Sequence, residues 1–346
     1  MDTFEGKRVL IIGGAGFVGS NLGLQILQQN PKELVIIDNL LSSDAANIPV
    51  DPAVRFICGS VTDPQVLYQI EDNIDYVFHL ACYHGNQSSI ADPLADHANN
   101  AYPNLVVFNH LSHFKNLKKV VYSAAGCAVA EKTFDDAHAT TEDAPVSLYH
   151  DSPYSISKLI GELYGNYFFQ HSGLPLVKAR FQNVYGPREI LGAGRWRGTI
   201  HTIWRNVTPT FVWKSLHGEE LPLDNGGNAT RDFIFVEDMA RGLMACALKG
   251  VAGDIYNLAS GVETNIAQLA YTINELTGNK TPVLLKPARD WDHSGKRFGS
   301  TVKSTRELGF TAQVTLREGL EKTVAWTQQN VQLIERCIAQ HLPLAR

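Results

Sequence analysis

The sequence predicts an α/β protein built on a doubly wound parallel sheet, with a smaller C-terminal α/β lobe. Three observations predict it. Short apolar runs alternate with stretches of helical periodicity through the first half of the chain, the pattern of parallel strands joined by right-handed crossovers. The first run leads into a glycine-rich turn, Gly13-Gly14-Ala15-Gly16-Phe17-Val18-Gly19. The second run ends in an acid, Asp38.

The glycine turn follows an apolar strand, Arg8–Ile12, and opens a helical stretch, Asn21–Gln29. Glycines at 13, 16 and 19 overlap a second spacing at 14, 16 and 19. One glycine makes the tight turn, one lets the backbone approach a pyrophosphate, and one lets the helix pack close to the strand. The helix N-terminus then turns free N–H groups and a positive dipole end toward the phosphates. Gly13, Gly16, Phe17 and Val18 are therefore assigned to a cofactor site. The next strand, Leu34–Ile37, ends at Asp38, about twenty residues past Gly19, where an acid holds the adenosine ribose hydroxyls and repels a 2′-phosphate. The expected cofactor is NAD, on a Rossmann-type sheet.

The remaining strands are expected at Val54–Cys58, Tyr76–Leu80, Lys119–Tyr122 and Leu176–Arg180. Ligands of such sheets bind at the carboxyl ends of the strands. Ser60 and Val61, past the third strand, are placed beside the adenine. Thr62 and Asp63 start a helix with Pro64 in its first position. Leu80, Ala81 and Cys82 are small enough to let the backbone pass beneath the cofactor, Cys82 reading as a small packing residue. His84 stands close enough to the fourth strand's end to meet the ligand. Asp92-Pro93 opens a long helix, Leu94–Phe114, with Asn99-Asn100 near its middle. An amide there orders a water or a carbonyl, or lies on a solvated face, and Asn100 is assigned to the cofactor site.

Ser152-Pro153-Tyr154-Ser155-Ile156-Ser157-Lys158 is the second decisive stretch. Ser152 is a good N-cap and Pro153 a good first helical residue. Tyr154 and Lys158 then share one helix face. A free phenol, with a pKa near ~10, is a poor base at neutral pH. A neighbouring ammonium and a positive nicotinamide favour the phenolate. Lys158 can also hold the nicotinamide ribose while Tyr154 takes the proton of a substrate hydroxyl.

With these residues on the page, the chain resembles an extended short-chain dehydrogenase/reductase of the nucleotide-sugar epimerase/dehydratase group. Further stretches carry the resemblance: Asp38-Asn39-Leu40, His79-Leu80-Ala81, Arg180-Phe181-Gln182-Asn183-Val184-Tyr185-Gly186-Pro187 and Arg231-Asp232-Phe233-Ile234-Phe235-Val236-Glu237-Asp238. It implies that Asn39 adjoins the cofactor, that Phe181 and Val184 line the nicotinamide, and that Asn183 lies near the sugar or diphosphate. Arg231 and Arg297 would clamp the diphosphate, as guanidinium forks can, with Arg289, Lys296 and Arg306 as alternatives to Arg297. Asn206 would help hold the nucleotide. The expected division is residues 1–180 with about 231–260 as the NAD-binding domain, Arg231 to Leu258 returning to the sheet, and about 181–230 with 261–346 as the substrate lobe. Arg188 to Asn206 is long and basic, either a lid or an exposed loop. Relatives pair through helices corresponding to about 94–114 and 153–171, which implies a homodimer.

The pattern breaks after the fifth strand. Relatives carry a Ser or Thr that bonds the substrate hydroxyl; here Ala125 stands at that position and Ser123 two residues earlier. Either Ser123 serves or the third catalytic group is absent. A 4,6-dehydratase of this group needs an Asp-Glu pair next, where this chain has Gly126-Cys127. Cys127 is either a thiolate base acting alpha to a keto group or an inert thiol. The expected activity is a nucleotide-sugar epimerase oxidising C4 of an NDP-hexose. The alternatives are a dehydratase or reductase on the same scaffold, and a non-catalytic NAD-binding regulator.

Bulk properties agree. The 346 residues are 44% hydrophobic with a net charge of −5, which speaks against a nucleic-acid partner. No apolar run reaches the ~20 residues of a membrane span, and the polar start reads as no signal peptide. Five cysteines form no disulfide or metal pattern, so no metal and a cytoplasmic location are expected.

Overall fold

The computed structural model describes residues 3–129, 133–290 and 295–344. The first unit is Arg8–Ile12 (β1), Phe17–Leu27 (α1) and Glu33–Asp38 (β2). Helix α1 starts at Phe17, earlier than the apolar periodicity suggests, because extended Gly16 (φ −70°, ψ 174°) already serves as its N-cap. Val54–Cys58 (β3) leads to one helical turn, Pro64–Leu67 (α2), where the Asp63 side chain accepts from the Gln65 N–H at 2.9 Å. Tyr76–His79 (β4) is followed by Asn86–Ala91 (α3), Pro93–Asp96 (α4) and Tyr102–Leu111 (α5). The single long helix expected over 94–114 is interrupted by a π-turn, His97–Ala101. Lys119–Ala125 (β5) runs three residues past the expected end, since Ala125 still pairs with Phe181. Ala139–Thr140 (β6), Pro153–Ser172 (α6) and Leu176–Phe181 (β7) follow.

The second half holds Asn183–Tyr185 (β8), Val207–Leu216 (α7), Pro222–Asp224 (β9), Thr230–Phe235 (β10), Val236–Lys249 (α8) and Ile255–Leu258 (β11). It continues with Glu263–Asn265 (β12), Ile266–Thr277 (α9), Leu284–Lys286 (β13), Phe298–Gly299 (β14), Leu316–Gln329 (α10) and Val331–Ala339 (α11).

Seven parallel strands make the main sheet, in the order β11-β7-β5-β4-β1-β2-β3. Both faces of the central strands are covered, so β1, β2 and β4 are near-continuous apolar runs. In β1, Val9 and Ile11 enter one core, with α1 and α8, while Leu10 and Ile12 enter the other, with α5 and α6. The chain order reverses between β1 and β4, and the crevice at that switch point is where ligands bind. Register places Ile12 opposite His79 there, which sets the glycine turn against Leu80-Ala81.

A smaller sheet, β12-β10-β8, packs with α7, α9 and α10 around Tyr185, Phe211, Phe233 and Leu320. Strand β10 belongs to this sheet. Of the segment 231–258, only β11 joins the main sheet, with α8 carrying the chain back to it.

Helix α6 lies unusually close to β5. A Cβ at Gly161 would sit 2.1 Å from the Tyr122 hydroxyl oxygen and 2.6 Å from Asn104 Nδ2. That hydroxyl is tied down: it donates to Lys158 O and accepts from Asn104 Nδ2, both at 3.2 Å. Gly161→Ala should therefore destabilise the protein by about 1–3 kcal/mol, against a helix-propensity gain of about 1 kcal/mol. Denaturant unfolding measures the difference, and an unchanged midpoint would contradict this packing.

Candidate active site

The cofactor cradle is built from the switch point. Gly13 has φ +86°, and a Cβ there would lie 2.6 Å from Ala81 N. Glycine is thus required both by conformation and by the close passage of the 80–81 backbone. At Gly19 a Cβ would meet Gly13 O at 2.3 Å, which fixes the helix against the turn. No side chain caps the first turn of α1, so the N–H groups at Phe17 and Val18 face outward for an anion. Asp38 holds the turn in place. Its carboxylate accepts from the N–H of Ala15 (3.1 Å) and Leu40 (2.8 Å) and from Ser43 Oγ (2.9 Å), tying the turn to the end of β2. Burial nonetheless raises its pKa. Asn39 accepts from the Leu41 N–H at 3.0 Å. Ser60 bonds Thr62 through their hydroxyls at 2.8 Å, and Val61 is buried. Leu80 is buried, and Ala81 and Cys82 are partly exposed at the end of β4. An open, uncapped helix start, glycines that admit close backbone and an acid at the second strand's end fit a dinucleotide.

The Tyr154–Lys158 pair is held by α6. The Ser152 hydroxyl caps the helix at the Ser155 N–H (3.4 Å), Pro153 fills its first position, and the Tyr154 N–H donates to Ser89 Oγ of α3 at 3.1 Å. Lys158 is buried. Its ammonium donates to Ser123 O at 2.8 Å and to Ser123 Oγ at 3.2 Å, and lies 5.8 Å from the Tyr154 ring centre. Ser123 Oγ in turn donates to His79 O at 3.2 Å. Ser123 is thus engaged with the lysine, while Ala125 brings no hydroxyl to the end of β5. The Cys127 backbone lies in a short 3-10 turn, Gly126–Ala128; its side chain lies outside the described residues. The His84 ring meets Tyr154 edge-on at 5.7 Å. Burial, then the cations Arg197, Arg205 and Lys158, push His84 down to about 3, so it is neutral at physiological pH.

Asn100 lies in the π-turn, and its amide is used within the protein. It accepts from the Tyr83 N–H (2.7 Å) and donates to Tyr83 O (3.2 Å) and Asp96 Oδ1 (2.6 Å). Asp96 also accepts from Ser157, the residue before Lys158. This staple joins the loop after β4 to α6, the helix that carries Tyr154 and Lys158. The periodicity of the long helix carries no sign of it; the acid four residues before Asn100 was its only trace.

Phe181 and Val184 pack at the edge of the main core, and Asn183 is partly exposed on β8. Arg231 is buried and donates to the carbonyls of Thr230 (2.7 Å) and Gly295 (2.6 Å). The Arg297 N–H donates to Thr230 Oγ1 at 3.1 Å, so both arginines border the start of β10. Of the alternatives, Arg289 pairs with Asp224 and Arg306 with Glu307. Asn206 stands at the N-cap position of α7 without a side-chain capping bond and donates its amide to Glu189.

The segment 188–206 is packed, not an exposed loop. Ile190, Leu191, Ala193 and Ile203 form a core with Ile334, Cys337 and Ile338 of α11. Arg205 donates to the carbonyls of Ser42 (2.8 Å), Thr202 (3.0 Å) and Ala193. Arg197 donates to His84 O at 2.7 Å. The run of arginines in the sequence signalled this cluster, but nothing in it signalled that Glu189 sits between Arg205 and Asn206.

Residues 9–259 match the model of the NAD dependent epimerase/dehydratase family. The chain belongs to that family, among the extended short-chain dehydrogenases/reductases, and NAD is its cofactor. The crystal structure of the Bordetella bronchiseptica enzyme WbmF in complex with NAD+ and UDP is 54% identical, covers 99% of this chain and 98% of that one, and superposes with a TM-score of 0.89. UDP-glucose 4-epimerase of Mycolicibacterium smegmatis is 28% identical over 94% of this chain and 100% of the relative. An Arabidopsis thaliana trifunctional UDP-glucose 4,6-dehydratase/3,5-epimerase/reductase is 25% identical over 95% of this chain, which spans 48% of that protein's length.

Burial lifts Glu189 from the ordinary glutamate value of 4.5 to about 7. Between those values the folded protein binds the extra proton, so the stability Glu189 contributes is present at low pH and is lost as pH rises through about 7. Thermal unfolding should show the midpoint of the wild type falling between about pH 5 and about pH 8, with Glu189→Gln flattening that fall. An equal slope in both proteins would contradict the assignment.

Proposed function

We propose that this protein is an NDP-sugar epimerase that inverts C4 of a nucleotide-linked hexose through a transient keto sugar. The observation that carries the reading is the Tyr154–Lys158 pair beside His84, with Gly126-Cys127 next to it where elimination would need carboxylates. Tyr154 takes the C4 hydroxyl proton, and the buried ammonium of Lys158 stabilises the phenolate that does so. Ser123 fixes that ammonium by two hydrogen bonds. NAD supplies the hydride acceptor and, after the keto sugar has turned, the hydride donor. Tyr154 then returns the proton to the new C4 oxygen. His84, being neutral, adds no competing charge at the phenol. Arg231 and Arg297 suit the diphosphate, and the WbmF complex with UDP supports a uridine nucleotide. Leu94, Tyr102, Leu163 and Tyr167 are exposed along the helices expected to pair, which supports a homodimer.

Incubation with UDP-, GDP- and dTDP-sugars, followed by NMR, tests the reading. A C4 stereoisomer is the expected product. A 4-keto-6-deoxy sugar would assign a dehydratase instead, and no turnover of any sugar would favour a regulator. Tyr154→Phe should lower turnover by about 10²–10⁴-fold while the protein keeps its NAD; unchanged turnover would overturn the mechanism.

A further inference from the structure

The basic segment between β8 and α7 brings Arg197 to His84, the residue whose ring meets Tyr154. Its backbone N–H is held by Thr202 Oγ1 at 3.0 Å, its guanidinium lies over the Tyr83 ring at 5.1 Å, and Nη1 donates to His84 O at 2.7 Å. The His84 ring touches Tyr154. Arg197 is 5% exposed, and its Nε and Nη2 are buried with no hydrogen-bond partner among the described residues. Those two atoms carry the parallel N–H bonds that a guanidinium offers side-on to a carboxylate.

A cation buried with its fork unpaired is costly, and proteins keep such groups where a partner arrives. The surroundings do not supply one. Lys158 and Arg205 add positive charge around His84. Glu189, which faces Arg205, is held toward its neutral form by burial and accepts from Asn206. Asp96, the buried acid on the Tyr83 side, already accepts from Asn100 and Ser157 and acts on Lys158, so the Nε–Nη2 edge of Arg197 keeps no carboxylate partner among the described residues.

We propose that Arg197 is a specificity-determining residue that receives the C6 carboxylate of a nucleotide-linked hexuronic acid, so that the preferred substrate is a sugar acid, not a neutral sugar. In such a substrate the carboxylate is borne on C5, next to the carbon that Tyr154 acts on. The inference rests on the reading of the site as an epimerase site. Nucleotide diphosphate is a competing partner for the same fork, and the experiment separates the two.

The NAD-loaded protein is titrated calorimetrically with UDP, UDP-glucose and UDP-glucuronic acid. UDP-glucuronic acid should bind about 10- to 100-fold more tightly than UDP-glucose, the span expected for a charged hydrogen-bonded pair. Arg197→Met should abolish that difference and leave UDP affinity unchanged, and Arg197→Lys should recover part of it. Equal affinity of the wild type for the two sugars overturns the inference, and needs no variant to fold. Equal weakening of all three ligands by Arg197→Met, with NAD retained, overturns it in favour of a diphosphate contact. Failure of every UDP ligand to bind removes the nucleotide-sugar reading itself and this inference with it.

Discussion

The contact on which the chemistry depends is the seating of helix α6 on strand β5. Gly161 lets the helix come within reach of the Tyr122 hydroxyl, and the Lys158 ammonium reaches back to the carbonyl and hydroxyl of Ser123. That places a buried cation beneath the Tyr154 ring at a fixed distance. A phenol gains basicity only if the ammonium cannot drift away, so the proposed chemistry rests on this packing. The π-turn adds a second tether, since Asp96 and Asn100 bind Ser157 and the loop after β4 together. An extra residue in a helix is a strained device, and π-turns gather at functional sites for this reason.

Charge is distributed around the same point with little compensation. Lys158, Arg197 and Arg205 all bear on His84 and depress it, and their hydrogen bonds run mostly to backbone carbonyls. Carbonyl dipoles solvate a cation without cancelling its charge. The result is a cluster of cations beside the Tyr154 ring, the arrangement on which the proposed anion preference and the proposed phenolate both rest. The two proposals, an acidic sugar and a phenolate base, would draw on one electrostatic arrangement.

Much of this was legible in the chain because local rules governed it. Strand β1, the glycine turn and Asp38 obey spacing constraints imposed within one βαβ unit. The start of α6 is written in Ser152 and Pro153, and the phenol–amine pair follows from helical period alone. Where reading stopped at local signals it erred in definable ways. Helix α1 begins at Phe17 because a glycine N-cap leaves no side-chain signature. The helix over 94–114 conceals a π-turn, since an inserted residue alters hydrogen bonding without altering composition. Strand β5 continues to Ala125 only because β7 lies alongside it.

The sequence by itself determined the doubly wound class, the dinucleotide turn and the pairing of Tyr154 with Lys158, because each is fixed by residues close together along the chain. Only the tertiary structure decided which partners meet across long separations. It brought Ser123 to Lys158, Arg197 to His84, and Glu189 to Arg205, and it packed the segment 188–206 on α11. Those contacts depend on the order of strands in the sheet and on burial, and burial changes what a charged side chain can do without changing its letter in the sequence.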